Sequence, residues 1–192
     1  MARLKRELPT LASPVIGWRE DDTDLLIFPD HGVSATPAIF GILVGEGIYN
    51  LRAALDYLIY ELALLDSGNT QQGTQFPIED TEKGWLKNAP SFLKGVSVQH
   101  QTTIQKLQPY KGCDWTRTIR NLSNPDKHRT VTAVRSRVLI ENAPTSLPRI
   151  TLKAHGNFSI AIAFDDGSPV IETLQELESQ VTQTLDGFRP EF

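Results

Sequence analysis

The residues best equipped for chemistry lie between positions 117 and 137. Arg117, Arg120, Lys127, Arg129, Arg135 and Arg137 stand there against one acid, Asp126. That is five net positive charges, which leaves nine net negative ones over the rest of a chain whose total is −4. Such asymmetry marks an anion-binding face, with RNA or another phosphate-bearing anion as the partner, unless carboxylates elsewhere in the fold neutralise it. Within this stretch, Asn124-Pro125 reads as a capping residue followed by proline at the first position of a short helix. Lys127, His128 and Arg129 would then sit at the positive end of a helix dipole, at a cost of up to about 1 kcal/mol per charge. Compensation is expected from Asp126, from Glu46, Asp56 or Glu61 pairing with Arg129, or from a bound phosphate or carboxylate. The same dipole would hold His128 neutral, as a general base must be. In that chemistry His128 takes a proton from a ribose hydroxyl while Arg120 and Arg129 stabilise the phosphorane charge. The competing reading makes His128 and Arg129 a structural brace between this turn and a long helix.

That long helix carries the second constellation. A capping Thr36 and Pro37 open a pattern that holds from 37 to about 66, with Gly68-Asn69 as the stop. Val44, Ile48, Leu51, Leu55, Leu58, Ile59 and Leu62 share one arc at 100° per residue and form its core stripe. The opposite side holds Glu46, Asn50, Tyr57 and Glu61, with Tyr49, Arg52, Asp56 and Tyr60 beside them. Three tyrosines among pairable polar groups predict a second, partly buried face that takes a ligand or a partner subunit. Arg52 and Asp56 are spaced to pair, but arginine preceding aspartate is the weaker order in an isolated helix. Asp56 is therefore expected to receive a donor from elsewhere in the fold.

Positioning falls to the other elements. A β-hairpin is predicted over 14–29, around the turn cluster Glu20–Asp24. Residues 74–78 should be extended, because the position before Pro77 avoids the helical region. One helix is predicted at about 98–107, closed by Pro109, and a helix or pair of turns over 111–124. Strands follow at 130–140, 150–154 and 158–164, with a loop at 141–148 and a turn at 165–168. A last amphipathic helix with Thr173-Leu174-Gln175-Glu176 as its capping box presents Leu174, Leu177, Val181 and Leu185 to the core. The sum is a single α+β domain over 1–192. Its helical part, 36–129, lies between the hairpin and a β-rich part, 130–192, that ends in the final helix.

Four segments occur in an order that resembles a family of uncharacterised bacterial and phage proteins. They are 45–58, containing Tyr49-Asn50-Leu51-Arg52-Ala53-Ala54-Leu55-Asp56-Tyr57-Leu58; Thr74-Gln75-Phe76-Pro77-Ile78; Leu107-Gln108-Pro109-Tyr110; and 122–129, ending in Asp126-Lys127-His128-Arg129. The family carries an "HNLRSALDHL" helix, a "QFPI" segment and a "DKHR" turn. Tyr49 and Tyr57 stand at its two histidine positions, and the resemblance implies no activity. A looser similarity is to HEPN domains, helical bundles that often act as metal-independent ribonucleases through an arginine, a polar residue and then a histidine after four to six intervening positions. Here seven residues separate Arg120 from His128, and Pro125 interrupts them.

Composition limits the rest. With 192 residues, 40 % hydrophobic and 22 % charged, the chain has the proportions of a globular protein. The lone Cys113 excludes an internal disulfide and fits a reducing, cytoplasmic setting. No export signal is read after Met1–Arg6, and the apolar run 38–45 is too short to predict a membrane partner. His31, His100, His128 and His155 lack metal-ligand spacing, and Gly41, Gly45 and Gly47 lack dinucleotide or phosphate-loop spacing, so neither a metal nor a cofactor is implied. Two readings follow. One is a ribonuclease-like or phosphate-handling enzyme using His128, Arg120 and Arg129. The other, the default, is a non-catalytic binding or assembly protein, a homo-oligomer through its tyrosine face, with Glu46, Asn50, Arg52, Asp56, Tyr57, Asp126 and Lys127 as contact residues.

Overall fold

The structure, a computed structural model, describes residues 38–127, 134–140 and 158–192. The expected hairpin at 14–29, the helix start at Thr36-Pro37, the strand at 150–154, the loop at 141–148, and His128 and Arg129 lie outside them. The described part is mostly helical. It comprises α1 (Ala38–Ser67), α2 (Glu82–Phe92), α3 (Val98–Lys106), a 3-10 turn (Pro109–Lys111), α4 (Asp114–Lys127), β1 (Val134–Ile140), β2 (Phe158–Phe164), α5 (Val170–Phe188) and a closing 3-10 turn (Arg189–Glu191).

Two compact units divide the chain. In the one that takes in residues 133–172, β1 and β2 pair antiparallel, with Val134 opposite Phe164 and Ile140 opposite Phe158. Ile162, Ala163 and Phe164 are consecutive and all buried, so this end of β2 is covered on both faces. Gly167, at φ +85°, makes the turn that follows, and Ala163 bridges Pro169. Among the described residues this ribbon is the extent of the expected antiparallel structure.

The other unit, 44–132 with 173–192, is built on a helical core. Val44, Ile48, Leu55, Leu58, Ile59 and Leu62 are buried as their spacing predicts. The lower part of this stripe packs with Phe76, Ile78, Trp85, Ala89, Leu93, Ile104, Ile119, Leu177 and Val181. Each large aliphatic or aromatic side chain among them contributes about 1.5–3 kcal/mol on leaving water. By length and composition α1 is apolar enough to cross a membrane, but it also supplies this core's central stripe. Gly68 ends it in the left-handed conformation, φ +69°, with its N–H on the Leu64 carbonyl.

Three expectations about helix boundaries are corrected. α2 occupies a stretch in which no helix is predicted: Thr81 caps it by accepting the Gly84 N–H at 3.0 Å, and Trp85 and Ala89 face the core. Pro90 sits in its last turn, where a missing N–H forfeits one bond rather than breaking a long ladder. α4 runs unbroken through Pro125 to Lys127, so no helix begins at Pro125. Its upstream turns are anchored by buried Thr116 and Ile119, and continuing past one lost bond costs less than ending and renucleating a helix. Asp126 and Lys127 consequently end a helix, and the dipole argument changes sign: a cation is favoured there. Lastly, α5 starts at Val170, so Thr173 lies inside its first turn and is not a capping residue. Its stripe is as expected, with Leu174, Leu177 and Val181 buried and Leu185 partly so.

Candidate functional site

The segment 74–79 has neither helix nor paired strand, yet Phe76, Pro77 and Ile78 are buried. Its peptide groups therefore need partners from outside regular structure. Gln75 donates its N–H to the Phe92 carbonyl at 3.1 Å. The Phe76 N–H goes to Asp56 Oδ1 at 2.8 Å, and its carbonyl accepts from Arg52 Nη2 at 2.6 Å. Arg52 and Asp56 are themselves paired at 3.0 Å. One helical turn of α1 thus brackets a single residue, Phe76, through its N–H and its carbonyl, which explains a charge order that is poor for an isolated helix. Asp56 receives the donor expected of it.

Gln108 extends the same arrangement. It is fully buried, accepts the Glu79 N–H at 2.9 Å, and donates to the carbonyls of Pro77 at 2.9 Å and Ile104 at 3.1 Å. Arg120 Nη1 reaches the Ile78 carbonyl at 3.3 Å. Pro77 has no N–H to satisfy, so a proline here reduces the demand.

Above the bracket lies an open groove of about 470 Å³, lined by Tyr49, Arg52, Ala53, Asp56, Tyr57, Tyr60, Gln71, Gly73, Thr74 and Ser123. A smaller groove of about 140 Å³ shares Arg52 and Ser123 with it. The expected partly buried face is so at Arg52, Asp56 and Tyr60, whereas Tyr49 and Tyr57 are 65 % and 71 % exposed. Arg52 is buried, and its Nε has no hydrogen-bond partner among the described residues. Burial pulls the Arg52 pKa below its ordinary value, while the Asp56 carboxylate opposes the shift.

Of the residues expected to bind, Arg52, Asp56 and Tyr57 come together. Glu46 and Asn50 are exposed on α1 and do not line the groove. Asp126 and Lys127 end α4. Of the residues expected to be catalytic, Arg120 is engaged: Nη1 lies 2.8 Å from Asp80 Oδ2. Arg117 also pairs with Asp80, at 2.9 Å, and with Asp114. The Arg120 and Arg117 hydrogen bonds hold the Asp80 carboxyl below the usual range. Two of the six cations of the basic segment are therefore neutralised within the fold.

A second polar cluster escaped the sequence reading, which weighed His100 only as a metal ligand. Buried His100 places Nδ1 2.8 Å from Asp66 Oδ2 and Nε2 3.7 Å from Glu191, with its ring edge-on to Phe188. Asp66 also accepts the Ser97 N–H at 2.7 Å. Desolvation pushes the Asp66 carboxyl up, but the Ser97 and His100 hydrogen bonds outweigh it and leave the group below its ordinary value. Ser97 caps α3, and a capping serine three residues before a histidine was the available signal. Burial and the Asp114 charge push the Cys113 thiol up, away from thiolate chemistry. Among the described residues no His/Cys/Asp/Glu group could hold a metal ion. No protein-family model, curated protein or solved structure matches the chain.

Proposed function

We propose that the chain is a non-catalytic binding or assembly protein whose recognition surface is the tyrosine-bearing face of α1. The observation that carries this reading is the groove itself. Three phenols stand over a floor already fixed by the Arg52–Asp56 bracket, and none of the three is hydrogen-bonded among the described residues. Tyrosines presented on a rigid helix supply large contact area at low ordering cost, as recognition surfaces require. The expected α+β arrangement belongs to the same proposal, with the 14–29 hairpin and the 150–154 strand joining the β1–β2 ribbon in an antiparallel layer.

Light scattering on the full chain tests the assembly form. A mass above the 21.4 kDa protomer that falls to one protomer in Tyr57→Glu supports it. Equal masses for the two proteins refute this face as a self-contact. The ribonuclease reading has less support, since Arg120 is committed to Asp80 and Ile78 and no helix N-terminus lies at Pro125. Incubation with total RNA in EDTA decides against our reading if the chain cleaves and His128→Ala does not.

A further inference from the structure

The groove's chemistry narrows what it would hold, if the tyrosine face is the recognition surface proposed above. Among the described residues its charged lining is Arg52 and Asp56, and these already neutralise each other at 3.0 Å. No further lysine or arginine among the described residues lines it, so a polyanion gains little from them. Hydrogen-bonding capacity does remain. Among the described residues Arg52 commits only Nη2, to Phe76 and Asp56; its Nε is enclosed, and Nη1 is left to donate. Asp56 uses Oδ1 for both of its bonds among the described residues, and Oδ2 is left to accept. Donor and acceptor thus stand side by side on one helical turn. Tyr49, Ala53 and Tyr57 follow at four-residue steps, so the two phenols rise on either side of a small residue, about 12 Å apart along the axis. The notch over Ala53 suits a flat group with an aromatic face at either end.

We infer that this groove binds an uncharged planar heterocycle presenting a hydrogen-bond donor and acceptor on one edge, as the nucleobases do. The donor of such a ligand goes to Asp56 and its acceptor to Arg52, while its π-face lies against Tyr57 or Tyr49. Its size agrees with the groove, which falls within the volume range of small-molecule sites.

The test is isothermal titration of the full chain with adenosine, guanosine, cytidine and uridine, at low and high salt and with inorganic phosphate as competitor. Saturable binding of at least one nucleoside, indifferent to salt and phosphate, is expected. Tyr57→Ala removes an exposed, unbonded ring and leaves the fold intact, so it should weaken that binding about tenfold through lost stacking. Asp56→Asn keeps an oxygen for the Phe76 N–H but turns the second acceptor into a donor, and should change which nucleoside is preferred. Absence of saturable heat from all four, binding unchanged in both variants, or displacement by phosphate overturns the inference. Light scattering on the same samples separates the two proposals: a chain that assembles through Tyr57 yet binds no nucleoside loses this ligand class and keeps its recognition face.

Discussion

Replacing Asp56 by alanine tests the bracket that underlies both the groove and the 74–79 segment. The variant leaves the Phe76 N–H without an acceptor in a buried segment, worth about 1–3 kcal/mol. It also leaves the Arg52 guanidinium without its counter-ion. For a fully buried pair that loss runs to about 3–5 kcal/mol, but the Asp56 side chain is 35 % accessible and water recovers part of it. A combined loss of about 3 kcal/mol is expected, read as a urea midpoint lowered by roughly 1 M with an unchanged slope. Asp56→Asn, which can still accept from Phe76, should lose about half as much. Arg52→Met combined with Asp56→Ala removes the stranded charge, so the double variant should be more stable than the sum of the single effects by at least about 1 kcal/mol. An Asp56→Ala midpoint within about 0.5 kcal/mol of the parent, or strict additivity, refutes the view that this pair holds the segment in place.

Other predictions concern the supports around it. Gln108→Leu strands the Glu79 N–H and the Pro77 carbonyl and should cost about 2–4 kcal/mol, with the Glu79 amide exchanging with solvent faster than in the parent. Asp66 has a depressed carboxyl pKa, so its contribution is fully present above the ordinary value of 3.8 and is lost as pH falls through the folded value. Unfolding measured from pH 5 down to pH 2 or so should therefore show a shallower acid loss in Asp66→Asn than in the parent. Gly95 sits at φ +80°, where an added Cβ would meet Gln71 Cγ at 2.9 Å, so Gly95→Ala should lower the unfolding free energy by about 1–2 kcal/mol. Thermal or urea unfolding of that variant checks the value.

Legibility in the sequence followed the range of the interactions. α1, α3, β2 and the stripe of α5 announce themselves through period and stop signals, because each is set by neighbours within a turn or two. The 82–92 helix went unread because Gly84 and Pro90 mask a Trp85–Ala89 spacing whose reward is tertiary burial. Asn124-Pro125 misled for the opposite reason: a local start signal was overridden by a helix already anchored upstream. In the site, the Arg52–Asp56 spacing was visible and the need for an outside donor could be argued. That the donor is a peptide N–H 20 residues away could not, since nothing local ties Phe76 to α1. Gln108 was invisible as a support because a single glutamine carries no pattern.

The bracketed peptide has a consequence for how occupancy would be felt. Arg52 and Asp56 line the groove and also hold the docked segment, so a ligand that engaged them would make filling the groove and docking residues 74–79 linked equilibria. Any molecule that selects the docked arrangement raises global unfolding free energy by RT ln(1 + [L]/Kd), about 2.7 kcal/mol at a hundredfold excess over Kd. Melting-temperature screening therefore reaches this site without a reporter, and Asp56→Ala should abolish the gain along with the docking that produces it.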